Sequence, residues 1–220
     1  MKINETSMII LGAGRHAAET VAIYQSLPTT KLSYCLEDNS QRKGELLMGV
    51  PIEDTNFLQT LKKNIEDIRL LCAIGSPKRK FLIERIKQWA KWQYDALIAP
   101  SVLFSPSALQ LGKGTTIAQG CILTFNIQID SHTMINIGYT INHNYKIGNF
   151  VIISSAVKIA GHVTIEDEVF IGIGAIIIDR VTIDKGSLIA VVTKDVAPCT
   201  LINSLSFKII FSKILCIKMY

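Results

Sequence analysis

Two groups of residues have the types and spacing to do chemistry: His143 with Asn144, and a glycine turn at residues 12–17. His143 stands two residues after Ile141, an aliphatic in a regular six-residue series, so its ring is expected on a turn and directed outward. Eighteen residues later the equivalent position is Gly161, which leaves a gap beside the ring where a thioester could lie. A neutral imidazole there could take a proton from an amine or hydroxyl as it attacks an acyl group. Asn144 could orient that ring but adds no charge to it. The turn Gly12-Ala13-Gly14-Arg15-His16-Ala17 matches GxGxx(G/A), and the acids Glu37 and Asp38 follow some twenty residues on. Such a turn offers phosphate the N-terminus of a helix, and the acids could accept hydrogen bonds from a ribose or a base. The segment is too short for a full dinucleotide fold, so a nucleoside diphosphate suits it better than NAD.

The elements that must position His143 follow from an internal period. Every sixth residue from Leu111 to Ile189 is Leu or Ile, fourteen in succession without a slip. The following position is mostly small or polar, as at Gly112, Ala118, Asp130 and Gly148. A period of six is neither helical nor simple strand alternation. It fits a three-sided coil of eighteen residues, with coils stacked about 4.8 Å apart like parallel strands and one aliphatic per side pointing inward. His132 and His162 are expected at coil corners. A solenoid of this kind closes its core only along its length, so association is expected.

The glycine turn belongs to a different pattern. Residues 8–14 read as a buried strand, 15–26 as a helix, 32–36 and 68–75 as strands, and 94–99 as another strand. Helical spacing at Phe81, Leu82, Ile86 and Trp89 places a helix over 78–92 with those residues on its apolar face. Alternating strands and helices imply a parallel sheet. The expected fold class is therefore α/β plus all-β: a small Rossmann-like domain over 1–102, a parallel β-helix over 103–198, and an atypical tail over 199–220.

The net charge of +5 contains no long basic run or basic–aromatic alternation, which argues against nucleic-acid binding. The five cysteines are dispersed without metal-ligand spacing, and neither they nor the four histidines suggest a metal site. No stretch of about 18 uncharged apolar residues occurs, so no transmembrane segment is expected. Glu5 precedes the first apolar run, which does not read as a signal peptide, and a cytoplasmic location is expected.

Together these motifs resemble the bacterial sugar acetyltransferases of the sialic-acid O-acetyltransferase and bacillosamine-type N-acetyltransferase group. The resemblance is carried by IILGAGRHAAE, LEDNSQRKGELLMGVPI, AIGSPKRK and IAPSVLFSPSA, then by INHNYKIGNFVIISSAVKIAGHVTI and VFIGIGAIIIDRVTI. It implies a left-handed β-helix and a homotrimer with active sites between subunits. It implies acetyl-CoA as co-substrate, held near Ile152, Gly161 and Ile173. His143 would be the base with Asn144 beside it. Gly12, Gly14, Arg15, His16, Glu37 and Asp38 would hold a nucleotide-sugar or free sugar acceptor. The reaction implied is N-acetylation of a nucleotide-linked 4-amino-sugar for surface glycan synthesis. Sialic-acid-type O-acetylation, a catalytically impaired nucleotide-sugar binder and, last, NAD binding are the alternatives.

The chain departs from the family pattern in four places. Asn144 stands where an acid is usual, and Arg15 where a glycine is usual. The last coil, Ser187 to Val196, lacks about three small residues, and the CoA-binding segment beyond Thr200 is replaced by LINSLSFKIIFSKILCIKMY. A helix covering the solenoid end is the expectation for this tail, with a membrane-surface segment or a frame change in the gene as alternatives.

Overall fold

A computed structural model describes residues 7–28, 31–77, 79–141, 143–190 and 214–216. The chain divides into two compact units, Met1–Pro100 and Ser101–Tyr220.

In the first unit the apolar runs become strands because both faces of the sheet are covered. β1 (Ser7–Leu11) is wholly buried and leads through the glycine turn into α1 (Arg15–Gln25), followed by β2 (Lys31–Glu37). Next come β3 (Leu46–Leu47), β4 (Val50–Asp54) and the short α2 (Phe57–Thr60). β5 (Ile68–Cys72), α3 (Arg79–Lys87) and β6 (Gln93–Tyr94) complete the sheet, whose order is β3-β4-β2-β1-β5-β6. All pairings are parallel except β3 with β4. β2 and β5 flank β1 on opposite sides, so the strand order reverses at β1. The crevice beyond the carboxyl ends of such strands is where open α/β sheets take ligands.

Three expectations change here. The β3–β4 hairpin is an addition, too short and too rich in glycine and proline to show as a strand run. The strand expected over 94–99 is two pieces, Gln93–Tyr94 and Leu97–Ile98. Phe81 is not on the apolar face of α3: Leu82, Ile83 and Ile86 are buried, whereas Phe81 is 70% exposed.

In the second unit the strands from Leu109 to Ala190 pair in parallel at a spacing of eighteen residues, as in Ile117↔Ile135, Ile135↔Ile153 and Ile153↔Ile171. Leu123↔Ile141 and Ile129↔Ile147 repeat the register on the other two sides. The result is a three-sided parallel β-helix with the six-residue aliphatics in its core. Each side also buries the residue two places earlier, among them Thr115, Cys121, Thr133, Tyr139, Val151 and Val157. Residues i and i−2 of a strand share a face, so the core holds two ladders per side rather than one.

The corners obey an equally strict rule. Every sixth residue from Gly114 to Gly186 has a positive φ, between 51° and 71°. Five of these are glycines, while Asn126, His132, Asn144, Phe150, Ala156, His162, Glu168 and Arg180 are L-residues in the left-handed region. His132 and His162 are thus corner residues. Hydrogen bonding between coils makes each corner take this conformation whatever its residue, at a cost of about 1–2 kcal/mol for a residue with a β-carbon.

Of the tail only Ile214–Cys216 is described, and it is a strand, pairing in parallel with Leu188–Ala190. This corrects the expected helix for those residues. The last coil ends in an open row of backbone groups, which a strand satisfies directly and a helix cannot. Residues 191–213, which hold most of the altered last coil, lie outside the described residues.

Candidate functional site

The first unit places Gly12, Gly14, Arg15, His16, Glu37 and Asp38 around the ends of β1 and β2 and the start of α1. Gly12 has φ 115° and donates its N–H to the Leu36 carbonyl at 2.7 Å. A β-carbon there would stand 3.0 Å from Ile74 Cγ1 and 3.3 Å from the Ala73 carbonyl oxygen, so only glycine fits between β2 and the end of β5. Gly14 caps α1 without a side chain, so the first N–H groups of the helix keep their capacity to bind an anion. Arg15 is exposed, and α1 has no acid in its first turn.

Glu37 does not reach outward. Its Oε2 accepts from the Ala13 N–H at 3.3 Å and its Oε1 from the Asp38 N–H at 3.0 Å, so this carboxylate holds the turn in shape. Arg42 braces the turn from the other side, donating to the Ala13 carbonyl at 2.8 Å. Asp38 faces a cleft of about 390 Å³ lined also by Ile74, Phe81, Leu82 and Arg85. Its carboxylate meets the Arg85 guanidinium at 2.6 Å. Burial alone would raise the Asp38 pKa, but the hydrogen bond and charge of the Arg85 guanidinium beside it bring it below the usual carboxylate value. An exposed phenyl ring and a fixed carboxylate in one apolar cleft suit a planar, hydrogen-bonding ring.

His16 lies within α1, its Nδ1 3.3 Å from Glu19 Oε2. Desolvation lowers its pKa; the Glu19 carboxylate acts against that, and the Arg79 charge adds to it. Arg79 is itself buried at the start of α3, where burial lowers its pKa to about 10. A neutral imidazole and a buried guanidinium therefore stand near the crevice.

In the second unit His143 sits on a corner next to Asn144, and the two side chains touch, Asn144 Nδ2 to His143 Nδ1 at 3.2 Å. A β-carbon at Gly161 would stand 3.0 Å from His143 Cε1 and 3.3 Å from Nε2. The gap expected beside His143 is thus occupied by the ring itself, which lies against the Gly161 backbone. Asp179 Oδ1, one coil further, comes within 3.4 Å of the same point, while its Oδ2 pairs with Arg180 at 3.5 Å. His162 packs edge-to-face on His143, with ring centroids 5.0 Å apart.

Of the residues expected near acetyl-CoA, Ile152 lies in a strand, Gly161 in a bend and Ile173 in a turn. Ile152 is 2% exposed and offers no side-chain surface within the single chain, and the open side of Gly161 is covered by His143. Ile173 is 65% exposed on a corner and could meet an apolar arm, beside the similarly exposed Ile176 and Ile178. Sequence reasoning missed Asn126, whose Nδ2 donates to Asn144 Oδ1 at 2.8 Å, and Asp179. Both could have been found by stepping eighteen residues from Asn144 and Gly161. Among the described residues no group of three or more His, Cys, Asp or Glu could hold a metal ion, and no helix is long and apolar enough to cross a membrane.

No family model matches the chain. A curated relative, mitochondrial gamma carbonic anhydrase 2 of Arabidopsis thaliana, is 30% identical over 113 residues, 43% of this chain and 40% of that protein. The chain thus spans less than half the length of that relative. Among solved structures it resembles the acetyltransferase domain of PglB from Neisseria gonorrhoeae (TM-score 0.75, 21% identity, covering 89% of this chain and 94% of that one). It also resembles PerB from Caulobacter crescentus in complex with CoA and GDP-perosamine (TM-score 0.74, 24% identity, 84% and 86% covered). WeeI from Acinetobacter baumannii is a third (TM-score 0.68, 21% identity, 86% and 92% covered). The chain therefore has the fold of these bacterial proteins, two of which are described as an acetyltransferase domain and a perosamine N-acetyltransferase.

Proposed function

We propose that this protein is an acetyl-CoA-dependent acetyltransferase that N-acetylates a nucleotide-linked 4-amino-sugar. The observation that carries the reading is His143, held on a β-helix corner by Asn144 and by the bare backbone of Gly161. The likeness in fold to PerB with CoA and GDP-perosamine supports it. The first unit then serves as a Rossmann-like nucleotide-sugar domain: the uncapped start of α1 with Arg15 takes the diphosphate, and the Asp38–Phe81 cleft takes the base. The second serves as a left-handed hexapeptide β-helix.

Acetyl-CoA supplies a thioester-activated acetyl group, and the exposed Ile173 would meet its apolar arm. The neutral sugar amine attacks the acetyl carbon, forming C–N as C–S breaks. His143 Nε2 takes the proton that the amine loses and returns it to the departing sulfur, so the products are the N-acetylated sugar and the CoA thiol. A homotrimer with shared sites fits the apolar side carrying Leu103, Ile122 and Ile176, each more than 40% exposed. A cytoplasmic setting fits the free, buried thiols Cys35, Cys72 and Cys121.

Thiol release from acetyl-CoA by the purified protein, against a panel of nucleotide-linked 4-amino-sugars and free sialic acid, tests the proposal. Turnover on one amino-sugar, reduced about 10²–10⁴-fold in His143→Ala, is expected. Turnover confined to sialic acid would make the protein an O-acetyltransferase. A folded protein that binds nucleotide sugar yet transfers nothing would be an impaired relative.

A further inference from the structure

We propose that Asn126 is a positioning residue for His143, acting through Asn144 to decide which ring nitrogen carries the proton. The inference rests on His143 being the base of the reaction above.

Asn126 and Asn144 occupy the same corner one coil apart, with φ 51° and 60°. Backbone bonds from Asn144 N to the Phe125 carbonyl and from Tyr145 N to the Asn126 carbonyl, both 3.0 Å, hold the two corners in register. The side chains continue the contact as a chain of amides: Asn126 Nδ2 to Asn144 Oδ1 at 2.8 Å, then Asn144 Nδ2 to His143 Nδ1 at 3.2 Å. In this arrangement Nδ1 accepts. A neutral imidazole has one donor and one acceptor nitrogen, so the ring proton is on Nε2, which then cannot take a proton from an amine.

Turning both amides by half a rotation preserves both contacts and reverses every role. Nδ1–H then donates to Asn144 Oδ1, Asn144 Nδ2 donates to Asn126 Oδ1, and Nε2 is left with its lone pair. The change moves one proton from Nε2 to Nδ1 by way of solvent, with no net gain or loss. A carboxylate at 144 would allow only the second state. An amide at 144 allows both and passes the choice to residue 126. Asn126, also an amide, leaves the relay with two states, one of them unfit for base catalysis. If these asparagines were present only because they tolerate a positive φ, exchanging either amide for an acid of the same shape would not move the ring proton.

The experiment is ¹⁵N NMR of the histidine rings in the full chain, with His143 assigned by its loss in His143→Gln. Asn126→Asp is the informative variant. The new carboxylate can only accept, so it draws Asn144 Nδ2 toward itself and turns Oδ1 onto His143. The expected result is a shift of His143 to the Nδ1–H form, with kcat raised about tenfold. Asn144→Asp should produce the same shift directly. A shift in Asn144→Asp with none in Asn126→Asp overturns the relay, as does no shift in either. Should Asn126→Asp not fold, Asn126→Gly, which suits the positive φ, frees Asn144 and must change the wild-type tautomer ratio; an unchanged ratio overturns the proposal. The ring spectrum is read without turnover, so absence of acetyl transfer in every variant would count against the activity and leave the relay to be judged on its own.

Discussion

The His143 ring lies against the backbone of Gly161, its Cε1 3.0 Å from the point where a β-carbon at 161 would stand. Eighteen residues separate them, one full coil, so the contact is written into the repeat. Gly161→Ala would push the ring by a few tenths of an ångström and loosen its contact with Asn144. Steady-state kinetics should then show kcat/KM lower by up to about 10²-fold, with thermal stability little changed. Unchanged kinetics would mean that Gly161 does not set the ring position.

His16 links stability to pH in the first unit. Desolvation, partly offset by Glu19, lowers its pKa from the ordinary 6.5. Between the two values the unfolded chain holds more protons than the folded one, so the contribution is complete above pH 6.5 and fades as pH falls. The drop in Tm between about pH 7 and pH 5 should be smaller in His16→Asn than in the wild type. Equal drops would show that another group carries the dependence.

The corner rule predicts opposite effects from mirror-image substitutions. Ala156 is exposed with φ 59°, and Gly174 has φ 69° with nothing within 4 Å of an added β-carbon. Ala156→Gly should stabilise by about 1 kcal/mol and Gly174→Ala should destabilise by about the same, read by urea denaturation. Shifts of the same sign would sink the rule.

Ile153 is fully buried in the core ladder, whereas Ile176 is 48% exposed on a flat side. Ile153→Ala should cost about 2–5 kcal/mol, because a cavity adds to the lost transfer energy. Ile176→Ala should cost less than about 1 kcal/mol in the isolated chain. Equal losses would show that the outer side is packed as tightly as the core.

The β-helix was legible because one unbroken period ties each residue to a single place in the coil. The second inward ladder was not. Its members include Thr133, Tyr139 and Val151, which share burial but no chemical type. The glycine turn was legible at Gly12 and Gly14, yet Glu37 proved to hold that turn from within. Phe81 satisfied a helical period and still faces a cleft, since periodicity tells which residues share a face and not what covers it.

By itself the sequence determined the coil length, the aliphatic core, the corner placement of His143 and its eighteen-residue spacing to Gly161. Those depend on local spacing, which a chain carries with it into any fold. Only the tertiary structure decided that the ring fills the space over Gly161, that Asn126 reaches Asn144, and that Asp38 is held by Arg85. These are contacts between side chains far apart in the chain, and their geometry exists only once the coils have stacked and the sheet has closed against its helices.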